Sequence, residues 1–150
     1  MLRFERAKER WWNKPLVSLS GRVLPAELAV LEAELGPGES GAWMNSRSTT
    51  TGAIDLILTG TRPAFKTRRI SLPEFVSSVL RDIYKWANLK WGCADLVIWN
   101  TASREMRLVE VKCPHWDKPS GAQRIFLQVA EEMGIECSVV EWEFVSPPRR

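Results

Sequence analysis

Histidine is almost absent from this 150-residue chain, which holds one, His115. Chemistries that need two imidazoles, the paired-histidine zinc sites among them, are therefore excluded. Cysteine is scarce as well: Cys93, Cys113 and Cys137 are odd in number and form no C-x-x-C pair. Neither a disulfide framework nor a zinc knuckle is supported, and reduced thiols in an intracellular setting are the expectation. No apolar run approaches the roughly 20 residues that a membrane span requires. The N-terminus is basic but lacks the apolar region of a secretory signal. A soluble cytoplasmic protein with no membrane partner is expected. Internal repeats and low-complexity tracts are also missing.

What is present is ordinary in bulk and uneven in distribution. Hydrophobic residues make up 45% of the chain and charged residues 26%, which suits one globular domain with a real core. The net charge of +3 is too small to identify a partner by itself. Residues 1–22 carry six Lys or Arg against two Glu, and residues 61–90 carry seven against two acids. The segment Glu131 to Glu143 holds five acids and no base. Such polarity suits a nucleic acid on one side, and it equally suits a solvated surface with ordinary charge scatter.

Residues 1–22 read as a basic helix or arm, interrupted at Pro15, ahead of a main domain over 23–146 and a short tail over 147–150. AELAVLEAEL, after Pro25, places Leu28, Leu31 and Leu35 at helical spacing and stops at Gly36. AWMNS and AIDLIL read as strands, and 60–73 as a long loop carrying Arg62, Lys66, Arg68 and Arg69. Phe75, Val79, Ile83 and Trp86 define a second helix, and Phe126, Val129, Ala130 and Met133 a third. Between them DLVIW and MRLVEVK form an antiparallel hairpin, and IECSVVEWEF is a final strand.

The chemistry is concentrated in that hairpin. Successive side chains of a strand alternate faces, so in LVEVKC the pair Glu110 and Lys112 shares one surface while Val109 and Val111 take the other. Asp95 opens the partner strand at a distance that lets it face Glu110. Two carboxylates so placed repel unless a cation or proton intervenes, and hard cations such as Mg²⁺ prefer oxygen ligands. Lys112 offsets part of the repulsion and is placed to orient or deprotonate a water. An E-x-K pair on an exposed sheet face is the plainer alternative. Ser120 and Gln123 also fit a capping box, in which the two side chains serve backbone donors of the first helical turn.

The run GCADLVIWN, then LVEVKCP, then SGAQ at a helix start resembles the C-terminal core of VRR-NUC nuclease domains, particularly their Fanconi-associated branch within the PD-(D/E)xK superfamily. It covers roughly a third of the chain. Ala94 stands where the family usually has Pro, and Cys113 where it has Gly. The resemblance implies an α/β, restriction-endonuclease-like fold with a central mixed sheet flanked by helices. It also implies Mg²⁺ or Mn²⁺ held by Asp95, Glu110 and the Val111 carbonyl, Lys112 as catalytic lysine and Gln123 as a site residue. A further acidic ligand is expected on the first helix, with Glu27 the best match and Glu32 and Glu34 its rivals. Asp55 is either adjacent to the site or at an exposed strand edge.

The implied function is cleavage of DNA phosphodiester bonds, selective for flap or branched structures, with Arg62, Lys66, Arg68 and Arg69 on the phosphate backbone and a homodimer as one possible assembly. A non-catalytic DNA-binding or assembly module and a sequence-specific restriction-type enzyme are the competing readings. His115 and Trp116 would touch substrate or solvent. Trp11, Trp12 and Trp116 suit either base stacking or packing, whereas Trp43, Trp86, Trp91, Trp99 and Trp142 are expected in the core or an interface.

Overall fold

A computed structural model describes residues 1–11, 14–44, 53–59, 64–69, 71–114 and 120–145; side chains are not described at 9–11, 14–15, 53–59 and 64–69. The elements are β1 (Leu2–Trp11), β2 (Lys14–Leu19), β3 (Arg22–Leu24), α1 (Ala26–Glu34), β4 (Glu39–Met44), β5 (Ala53–Thr59), β6 (Ala64–Arg69), α2 (Glu74–Ala87), β7 (Leu96–Asn100), β8 (Glu105–Lys112), α3 (Gly121–Glu132) and β9 (Glu136–Phe144). The strands form one mixed sheet in the order β3-β2-β1-β9-β8-β7-β4-β5-β6.

The centre of the sheet grows from local signals. Val, Ile and Trp dominate β7, and the Asn100 side chain accepts hydrogen bonds from the amides of Ala102 and Ser103, which turns the chain back into β8. β8 and β9 are parallel, so they need a crossover, which α3 supplies. Alternation then sorts the side chains. Val97, Trp99 and Leu108 pack with Val76, Leu80 and Ile83 of α2 and Phe126 and Ala130 of α3. Leu96, Ile98, Val109 and Val111 pack instead with Leu28, Ala29, Val30 and Leu31 of α1. The sheet is thus covered by α2 and α3 on one face and by α1 on the other.

Two expectations are corrected. Residues 1–22 are not a helix or a detached arm: β1 runs parallel to β9, with Phe4 opposite Phe144, and β2 and β3 add antiparallel strands beyond it. Leu2, Phe4, Val17 and Leu24 join the α1-side core, so burial of alternate residues overrides a helix-compatible composition. Residues 60–73 are not one loop, because Ala64–Arg69 pair with β5 along their whole length. Asp55, Lys66, Arg68 and Arg69 therefore lie on paired strands, their side chains outside the description; Arg62, Trp12, His115 and Trp116 lie outside the described residues. Among the described residues no helix is long and apolar enough to cross a membrane.

A candidate metal centre at the ends of β7 and β8

The register Leu96 opposite Val109 puts Asp95 opposite Glu110 one step on, and directly opposed residues of antiparallel strands project to the same face. Asp95 is held from two sides. Its carbonyl accepts from the Met44 amide at 2.7 Å, and its Oδ2 accepts from the Val111 amide at 2.8 Å. Glu110 is 3% exposed. Its Oε1 accepts from Gln123 Nε2 at 3.2 Å, so the α3 start closes over it.

Gln123 also completes the capping box: its amide N donates to Ser120 Oγ and its Oε1 accepts from the Ser120 amide, both at 3.1 Å. Gln123 therefore both caps α3 and touches Glu110. Lys112, partly exposed, follows Glu110 by two residues on β8 and so shares its face.

Both carboxylates act on one neighbour. The fully buried Cys93 thiol is pushed well above its ordinary pKa, chiefly by burial and then by the negative charges of Glu110 and Asp95. Without a bound cation it stays a neutral thiol. Cys113, two per cent exposed, packs in the α1-side core, away from Glu110 and Lys112. Asp95 and Glu110 present carboxylate oxygens, a donor chemistry that suits a hard divalent cation.

Glu27 is placed less closely. Glu34, at the far end of α1, binds Arg107 near the β7–β8 hairpin, and Leu31 lies over Gly41. The N-terminal end of α1 and the half-buried Glu27 thus point toward the end of the sheet that carries Asp95. Its rivals are engaged elsewhere, Glu32 with Arg22 at 2.5 Å and Glu34 with Arg107 at 3.2 Å. Yet α1 covers the face opposite Glu110, and among the described residues no three His, Cys, Asp or Glu side chains form a group able to hold an ion. The structure brings Asp95, Glu110, Lys112 and Gln123 together.

Of the tryptophans expected in the core or an interface, Trp99 and Trp142 are buried and Trp43 is partly so, while Trp86 is 77% and Trp91 49% exposed and so outside the core. Sequence reasoning passed over Gly92, beyond its place in the motif, and Arg124, which follows Gln123 and lies in the same cleft as Glu110 and Lys112. Its signal was a cation in the first turn of a helix, against the helix dipole.

Residues 51–142 match the family model of the VRR-NUC domain. The chain is 38% identical over 67 residues to Fanconi-associated nuclease 1 of Danio rerio, covering 44% of this chain and 7% of that protein. It is 46% identical over 48 residues to Fanconi-associated nuclease 1 of Homo sapiens, covering 32% of this chain and 5% of that one. Among solved structures it resembles paFAN1 bound to 2nt 5′ flap DNA with a gap, with a TM-score of 0.57 and 14% identity, over 98% of this chain and 37% of that chain. That likeness shows the restriction-endonuclease-like α/β fold. The chain spans a small fraction of the curated relatives and just over a third of the structural one.

Proposed function

Since this chain belongs to the VRR-NUC domain family, we propose that it hydrolyses DNA phosphodiester bonds with Mg²⁺ or Mn²⁺, preferring flap or branched DNA. The observation that carries the reading is Asp95 facing Glu110 across two paired strands, with Lys112 next on the same face. Asp95, Glu110 and the Val111 carbonyl would hold the ion. Mg²⁺ is commonly held by one or two carboxylates and completed by waters and substrate phosphate, so a third acid is not required; Glu27 would join only from beyond the end of β7. When bound, the ion lowers the pKa of a water and offsets charge on the phosphate.

The chain's own residues do the rest. Gln123 and the Val111 amide fix the two carboxylates by neutral donors, so their lone pairs stay directed. Lys112 holds the attacking water or takes its proton. Lys66, Arg68 and Arg69 of β6, with Arg62, supply phosphate contacts that position DNA without reading sequence. The preference for flap DNA is supported by the flap-bound relative.

A second reading, a DNA-binding module that does not cut, is favoured by the fact that among the described residues no three acidic, His or Cys side chains form a group able to hold an ion. Labelled flap, junction and linear duplexes with Mn²⁺ separate the two. Cleavage is expected in the wild type, strongest on flap or junction DNA, and Lys112→Ala and Asp95→Ala are expected to lower it at least a hundredfold, given that removal of such groups costs several kcal/mol. Cleavage by Lys112→Ala at the wild-type rate would remove the mechanism. Calorimetric titration should find Mn²⁺ binding that Asp95→Ala abolishes.

A further inference from the structure

The cleft that holds Glu110 and Lys112 continues along α3, with a volume of about 350 Å³. Arg124, Leu127, Gln128 and Glu131 line it as one stripe, at i, i+3, i+4 and i+7 of the helix. Val139 forms the opposite wall. It pairs with Glu110 in the β8–β9 ladder and is 52% exposed, an apolar side chain of the sheet left in solvent. The cleft therefore has Lys112 and Arg124 with the buried Glu110 at one end, an apolar stretch along its length and Glu131 at the other end.

Among the described residues nothing accounts structurally for Arg124. It is exposed, and no hydrogen bond or ion pair of its side chain is found among the described residues. It also sits in the first turn of α3, where a cation opposes the helix dipole and an anion is favoured. An anion between Lys112 and Arg124 would satisfy both side chains. Beyond it, Leu127 and Val139 offer an apolar surface, and the Gln128 amide offers hydrogen bonds. Glu131 would repel a second phosphate.

We propose that this cleft seats the one nucleotide adjoining the scissile bond, with Arg124 binding its phosphate and Leu127 and Val139 covering its sugar. The proposal rests on the nuclease reading, and it adds a substrate-binding residue and a limit of one nucleotide on that side of the cut.

Binding of a fluorescein-labelled 5′-flap duplex tests it, measured in the Asp95→Ala background so that the DNA stays intact and Lys112 is kept. Arg124→Gln should weaken binding about tenfold, as expected for one charge-assisted contact. It should also make the slope of log K against log salt shallower by about 0.9, the loss of one phosphate contact. Arg124→Lys should keep the slope. In the cleaving protein, Arg124→Gln should raise KM about tenfold with kcat unchanged. With duplexes shortened by one nucleotide on either side of the cut, the Arg124→Gln deficit should vanish for one of the two. An unchanged affinity and slope in Arg124→Gln overturns the proposal, and so does a deficit that persists whichever nucleotide is removed. Wild-type protein that binds DNA and never cuts it would instead remove the nuclease reading, while the binding measurement still decides the cleft.

Discussion

Gln123 shows how one side chain is held in a single orientation by two different neighbours. The Ser120 amide can only donate, so the Gln123 amide must present Oε1 to it, and Nε2 is thereby turned toward Glu110. A motif needed for helix capping thus also aims a hydrogen-bond donor at a buried carboxylate. Gln123→Glu keeps an acceptor for the cap, removes the donor and sets a second carboxylate beside Glu110. Cleavage should fall about 10- to 100-fold, the usual effect of losing a partner of a metal ligand, with a smaller change in thermal stability than in Gln123→Ala. The alanine variant loses the cap as well, costing about 1 kcal/mol. Wild-type cleavage by Gln123→Glu would reduce the residue to a cap. The sequence showed the capping box and the family position separately; that one amide serves both follows only from the distance across to β8.

At the scale of elements, the approach of α3 to the chain ahead of β7 depends on Gly92. Its φ is +114°, and a Cβ there would lie 2.8 Å from Ala122 Cβ and 3.0 Å from the Ala122 carbonyl carbon. Only glycine lets the backbone three residues before Asp95 pass this close to the helix turn that carries Gln123. Gly134 at the other end of α3 has a φ of +84° with nothing within 4 Å of an added Cβ. Gly134→Ala should therefore cost only about 1 kcal/mol of backbone strain. Gly92→Ala should cost about 2–3 kcal/mol, strain and overlap together, and it alone should depress cleavage by shifting Gln123 from Glu110. Urea denaturation and the flap assay check the pair.

The molecule as a whole is fastened at the end opposite the candidate metal centre. Arg107, 18% exposed, reaches Glu39 at 2.9 Å and Glu34 at 3.2 Å, and donates to the Glu34 carbonyl at 2.8 Å. It ties α1 to β4 and β8 and so fixes the helix layer over the sheet. The Arg107 hydrogen bond, then that of the Gly36 amide, holds the Glu39 carboxyl below the usual carboxylate range. A depressed folded-state pKa gives stability that is present above the unfolded value, about 4.3, and is lost as pH falls through the folded one. Arg107→Met should cost about 2 kcal/mol at pH 7, and the deficit should shrink toward pH 3. Urea midpoints at both pH values test this, and equal deficits would place the stabilisation elsewhere.

The sequence alone determined that Glu110 and Lys112 share a face, that the hairpin pairs β7 with β8, and where the three helices lie. These follow from alternation, helical spacing and caps, which are properties of short stretches. Only the tertiary structure decided that the basic N-terminal residues are strands, because β1 gains its partner from β9, nearly the whole chain away. It likewise decided that α1 covers the other face of the sheet, that Cys113 turns into the core, and that Trp86 and Trp91 face solvent. Local pattern sets which residues share a surface; which surface meets another depends on long-range pairing that no short stretch encodes.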